Sequence, residues 1–161
     1  MSLGKGRNLV GATLVLPATI LVLAGCGSSG DSEGTSSLSK AEFVKKGNAI
    51  CAKGSEEINK AYEKFSREHV AGGRTPSEAL LDEAAAEIVL PVREREVRQL
   101  RALGAPSGQG ERVDTMLTAW ERGIEEGEED PHSLRKAGPE FAFYKSYSMG
   151  IDYGLKKCWL S

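Results

Sequence analysis

The sequence predicts an all-α fold, an antiparallel up-down-up-down four-helix bundle over residues 39–161, on three observations. Apolar residues recur at spacings of three and four through four segments. Ser/Thr-x-x-Glu and Leu-Gly-Ala-Pro signals stand where helices should begin and stop. No alternating run of β-branched residues is long enough for a strand. Short connections between helices with one apolar face each then favour the bundle.

The first helix opens on Ser39, with Glu42 three residues on to bond back to the cap amide. Leu38 and Phe43 supply the flanking hydrophobic staple. Phe43, Gly47, Ile50, Gly54, Ile58, Ala61 and Phe65 form one seam along some ~28 residues, about 42 Å of helix. Gly47 and Gly54 each weaken it by about 1 kcal/mol relative to Ala, and close approach by a neighbouring helix is the expected compensation.

Ala71-Gly72-Gly73-Arg74 breaks the pattern, and Thr75-Pro76-Ser77-Glu78 restarts it as a second capping box with Pro76 at the first helical position. The second seam is Leu81, Ala84, Ala85, Ile88, Val92, Val97, Leu100 and Leu103, with a kink expected at Pro91. Leu103-Gly104-Ala105-Pro106 stops it. A third helix carries Val113, Met116, Leu117, Trp120 and Ile124 and runs out between Gly127 and Pro131. A fourth, from about Pro139, carries Phe141, Tyr144, Tyr147, Ile151, Leu155 and Cys158. An even number of antiparallel helices would return Trp159 to the end where the chain enters.

Upstream of the bundle, Lys5 and Arg7 precede an apolar run, Leu9 to Leu23, shorter than the ~20 residues a helix needs to cross a bilayer. Leu23-Ala24-Gly25-Cys26 closes it. That order resembles the cleavage and lipidation signal of bacterial lipoproteins as a class. The resemblance implies a signal peptide over 1–25 and a Cys26 thiol that takes diacylglycerol as a thioether. Cleavage then makes Cys26 the N-terminus, open to a further palmitate-type acyl chain. The chain would be held on the extracytoplasmic face of the cell membrane, with the lipid bilayer as its first partner. A plain transmembrane anchor, or a secretory signal cut elsewhere, is the competing reading. Each buried methylene contributes about 0.8 kcal/mol, so two or three chains anchor far more firmly than one. Residues 26–38 then comprise the lipidated cysteine and a Gly/Ser-rich spacer with a reach on the order of 20 Å.

Residues 26–161 hold 19 basic and 23 acidic side chains, for a net charge near −4 with the terminus acylated. That balance argues against a nucleic-acid partner. The same 136 residues suffice for one compact domain but not for a two-lobed solute-binding protein. With Cys26 assigned to lipid, Cys51 and Cys158 remain as an even pair in an oxidising compartment, where pairing is the rule. Two free thiols are the alternative. Cys51 falls on the first seam and Cys158 on the fourth, so in the bundle both face one interface.

The order of lipidation signal, Ser/Gly spacer, SKAEFVKKGNAIC, a middle helix ending LRALGAP and a final YGLKKC resembles the small helical lipoproteins of actinobacteria. The resemblance covers most of residues 26–161. Its motifs are structural, a cap, a helix stop and a cysteine pair, and it brings no activity, ligand or functional residue.

Candidates for chemistry are few. His69 and His132 have no second His or carboxylate at ligand spacing. Glu125, Glu126, Glu128, Glu129 and Asp130 form an acidic run without the pattern of a calcium loop, and read as a solvated helix end. Arg93, Arg95, Arg98 and Arg101 form a basic ridge that would meet anionic headgroups or wall polymers. Glu94, four residues before Arg98, offers instead an exposed ion-paired face. No zinc, haem or redox cysteine motif, nucleophile elbow or phosphate loop stands in the chain, so no catalytic, cofactor or metal residue is assigned. The expected function is a non-enzymatic binding or structural module at the cell envelope, whose partner is an envelope protein, a polymer or an amphiphile. The alternative is an envelope enzyme with a dispersed, motif-less site.

Overall fold

A computed structural model describes residues 38–70 and 75–159. The signal peptide, Cys26, most of the spacer and the Gly72 loop lie outside the described residues. The described chain is all-helical, with four helices: α1 (Lys40–His69), α2 (Glu78–Ala102), α3 (Gly110–Glu129) and α4 (Tyr144–Tyr153). Short 3-10 turns occupy Pro131–Arg135, Gly138–Glu140 and Lys156–Cys158. No described helix is long and apolar enough to cross a membrane.

α1 begins as its sequence dictates. The Ser39 hydroxyl accepts from the Glu42 amide at 3.2 Å, and the Glu42 carboxylate accepts from the Ser39 amide at 2.9 Å. Phe43, Gly47, Cys51, Gly54, Ser55 and Ile58 are buried, and no residue beyond Ile58 in this helix is. α2 begins two residues later than the capping signal suggested. Ser77, not Thr75, is its N-cap, in extended backbone with its hydroxyl accepting from the Leu80 amide at 3.3 Å. With Leu80 at the third helical position, no carboxylate can reciprocate, so a single cap bond replaces the expected box. α2 runs unbroken through Pro91, where the missing N–H removes one bond to the preceding turn.

Glycines set the approach of α1 to α2. A Cβ on Gly47 would stand 3.0 Å from Leu100, and one on Gly54 would stand 3.0 Å from Val92 and on top of the Glu96 carboxylate. Early residues of α1 therefore sit beside late residues of α2. Trp120, wholly buried, centres a core with Phe43, Leu100, Met116, Leu117, Phe143 and Leu155.

The fourth segment departs most from expectation. In place of one helix from Pro139 to Cys158, a 3-10 turn at Gly138–Glu140 precedes a helix of 10 residues and another at Lys156–Cys158 follows it. Gly154 ends it at φ 112°, in the left-handed region that favours glycine. The Leu155 amide donates to the Gly150 carbonyl at 2.8 Å and the Gly154 amide to that of Ile151 at 3.1 Å, the bond pair of a Schellman stop. Its inward face is Phe143, Ser146, Gly150 and Tyr153, not the predicted Tyr144 and Tyr147, which are 43% and 37% exposed. Outward placement leaves the Tyr144 and Tyr147 hydroxyls to water, and Gly150, without a side chain, makes room for a ring.

That ring is Trp159. After Gly154 the chain turns back along α1, with Leu155 against Gly47 and Cys158 against Cys51. Trp159 packs on Trp120 with ring centroids 4.6 Å apart, on Phe143 at 6.1 Å and on Tyr147 at 5.9 Å. It lies among the helices rather than at the end where the chain enters.

Candidate functional site

Cys51 and Cys158 are joined by a disulfide, with both residues wholly buried and Cα atoms 4.5 Å apart. It ties α1 to the terminal 3-10 turn that follows α4. Two residues that the sequence reading passed over hold the same turn. Asn48 donates from Nδ2 to the Gly154 carbonyl at 2.9 Å and accepts at Oδ1 from the Lys157 amide at 2.8 Å. Ser55 donates to the Lys157 carbonyl at 3.5 Å. Asn48, Cys51 and Ser55 stand at spacings of three and four, so one stripe of α1 receives the returning chain. The polar members of that stripe were legible as a period but not as a contact.

The basic ridge does not exist as a free surface. Arg93 points inward, 9% exposed, and donates to Glu96 at 2.7 Å. Its guanidinium lies 5.2 Å from the Trp159 ring centroid, a cation–π contact. Arg95 pairs with Glu57 at 2.5 Å, Arg98 with Glu94 at 3.3 Å, and Arg101 with Glu121 at 2.7 Å and Asp114 at 2.9 Å. The Glu94–Arg98 pairing read from the sequence is present. Helical rotation of 100° per residue sends the four arginines to different neighbours.

Glu96 is only 2% exposed. One carboxylate oxygen holds Arg93, and Oε1 has no hydrogen-bond partner among the described residues. Burial pushes its carboxyl above the ordinary value, against the opposing pull of Arg93. This buried pair is intrahelical, at i and i+3, and Gly54 provides the space opposite.

The two histidines fare differently. His69 stacks on Phe65 at 4.5 Å and bonds the Phe65 carbonyl within its own helix. His132 is not isolated, as it reads in sequence. The turn after α3 brings its Nδ1 within 3.1 Å of Asp82, 50 residues earlier. Glu78, Asp82 and His132 form the one trio of possible metal-ligating side chains among the described residues. Arg135 already occupies it, 2.5 Å from Asp82 and 3.0 Å from Glu78. Burial tends to raise the Asp82 carboxyl, but hydrogen bonds from Arg135 and His132 prevail and hold it below its ordinary value. A guanidinium bridging two carboxylates gives each a charge-assisted hydrogen bond, so the cluster reads as a clasp between α2 and the 131–135 turn. In the acidic run, Asp130 accepts from the His132 amide at 3.1 Å and starts that turn, and its glutamates line the exposed end of α3.

Three grooves are notable among the described residues. One of 260 Å³ runs between α2 and α3, lined by Glu94, Val97, Arg98, Glu121, Ile124 and Glu125. Two others adjoin through Arg112 and Met149. The first, of 150 Å³, adds Met116, Asp152 and Tyr153, and the second, of 390 Å³, adds Gly108, Gln109, Glu111 and Thr115. No family model, curated protein or solved structure matches this chain.

Proposed function

We propose that this chain is an extracytoplasmic lipoprotein, tethered to the cell membrane through acylated Cys26 and serving as a non-enzymatic binding or structural module of the envelope. The Cys51–Cys158 disulfide is the observation that carries the reading, since such bonds persist in oxidising compartments and are rare in the cytosol. The Leu23-Ala24-Gly25-Cys26 signal supports it independently, as does the resemblance to small helical lipoproteins of actinobacteria. A binding or structural role is favoured over catalysis because the charged groups of the strongest polar clusters are engaged with one another. Arg93 engages Glu96, and Arg135 engages Glu78 and Asp82. Metabolic labelling with a fatty-acid analogue tests the tether. The wild type is expected to carry the label and fractionate with membranes, and Cys26→Ala to lose both. An unlabelled wild type overturns the proposal.

A further inference from the structure

Lys40 at the start of α1, Arg112 in the first turn of α3 and Tyr153 at the end of α4 meet at one end of the fold. The Lys40 ammonium lies 5.0 Å and the Arg112 guanidinium 5.4 Å from the Tyr153 ring centroid. Neither cation has a carboxylate within ion-pair distance among the described residues. Tyr153 is 2% exposed and packs edge-on against Phe43, and its hydroxyl has no hydrogen-bond partner among the described residues. It lines the 150 Å³ groove beside Arg112. The adjoining 390 Å³ groove lies against the N-terminus of α3, where Gln109 supplies no side-chain cap. The first turn of that helix presents amide N–H groups and the positive end of the dipole.

We infer that this double groove binds a phosphodiester bearing hydroxyl groups, held by Arg112, the Tyr153 hydroxyl and the N-terminus of α3, with the Lys40 ammonium beside the Tyr153 ring adding positive potential. A guanidinium, a buried phenol donor and free helix amides are the donors that a phosphate oxygen accepts from. Glu111 and Asp152 also line the grooves. Their carboxylates repel a second negative charge, which selects a singly charged diester over a dianionic monoester. They also accept hydrogen bonds from ligand hydroxyls. Met116 and Met149 give the adaptable apolar wall. The chain enters α1 at this same end. A tethered protein would thus bring the groove toward phospholipid headgroups, although a free diester offers the same chemistry.

The test titrates the full-length chain in neutral detergent with glycerophosphoglycerol, with inorganic phosphate and glycerol as comparisons. The diester is expected to bind at least fivefold more tightly than inorganic phosphate, and glycerol not to bind. Arg112→Gln is expected to weaken diester binding about tenfold. Tyr153→Phe should weaken it about fivefold while leaving the ligand-free melting temperature equal or higher, because it deletes a buried donor without a partner. Arg122→Gln, the same charge change at an exposed site on α3, should change nothing. No binding, or equal losses for Arg112→Gln and Arg122→Gln, overturns the inference. Phosphatidylglycerol vesicles that compete with the diester where phosphatidylcholine vesicles do not identify a headgroup ligand. If neither competes, the ligand is a soluble diester. A Cys26→Ala chain with unchanged diester affinity separates this inference from the tether, whose failure would leave it standing.

Discussion

Gly123→Ala is the substitution for which the packing argument is most exposed to refutation. By helix propensity alone it should stabilise α3 by about 1 kcal/mol. The structure predicts the opposite. A Cβ at Gly123 would stand 2.6 Å from the Phe143 ring and 2.8 Å from the Ala142 carbonyl oxygen. Carbon contacts normally begin near ~3.5 Å, so the methyl overlaps the ring by about 0.9 Å. Neither neighbour can give way cheaply. Phe143 is wholly buried between Phe141 and Trp159, and the carbonyl belongs to backbone held by the Ala142–Ser133 hydrogen bond. Overpacking of this kind costs about 3 kcal/mol at the upper end of its usual range, leaving a net loss of about 2 kcal/mol. For a domain of this size that is roughly 8 °C in melting temperature. Gly110→Ala is the internal comparison, since a Cβ there meets nothing within 4 Å and should shift stability by less than ~0.5 kcal/mol. Thermal unfolding by circular dichroism reads both. A Gly123→Ala protein as stable as the wild type would refute the close α3–Phe143 contact.

Replacing Cys51 and Cys158 together by Ala frees a loop with a sequence separation of 107, which the chain-entropy model values at up to about 4.7 kcal/mol. A melting temperature lowered by more than ~10 °C is expected, and an unchanged one would show that Asn48 and the core hold the terminal turn without the bond. Glu96 titrates above its ordinary 4.5 in the folded protein, so its contribution is complete below that value and is lost as pH rises through the folded-state titration. Urea denaturation between about pH 4 and about pH 7 should therefore show Glu96→Gln gaining on the wild type as pH rises; parallel curves would argue that the carboxylate is solvated. Asp82 has the opposite sign, since its lowered value stabilises the fold above its ordinary 3.8 and the contribution fades as pH falls through the folded-state value. Asp82→Asn should flatten the acid limb of the same curve, and an unaltered limb would remove the clasp with Arg135 and His132.

Local chemistry was readable wherever it is decided within a turn of helix. Ser39 and Glu42 close the predicted box because both partners lie within three residues. The seam of α3 appears as Val113, Met116, Leu117, Trp120 and Ile124, all buried, because a strongly amphipathic period leaves one possible inward face. α4 resisted the same reading. Tyr144 and Tyr147 count as apolar in a periodic pattern, yet they lie outward while Ser146 and Gly150 turn inward, Gly150 against the Trp159 ring. Gly154 was the available signal for the early stop, in a Tyr-Gly-Leu context that also permits a continuing helix.

The helical class, the beginning of α1, the end of α2 and the pairing of Cys51 with Cys158 were all legible along the chain. Each follows from local backbone energetics or from counting reactive side chains. Tertiary structure alone decided that Arg93 and Glu96 are buried, that His132 meets Asp82, and that the chain doubles back after Gly154 to bring Trp159 against Trp120. Those outcomes depend on which residue another element places opposite. A buried ion pair and an exposed i, i+3 pair have the same spelling along the chain, and only the glycine gap at position 54 and the indole at 159 distinguish them.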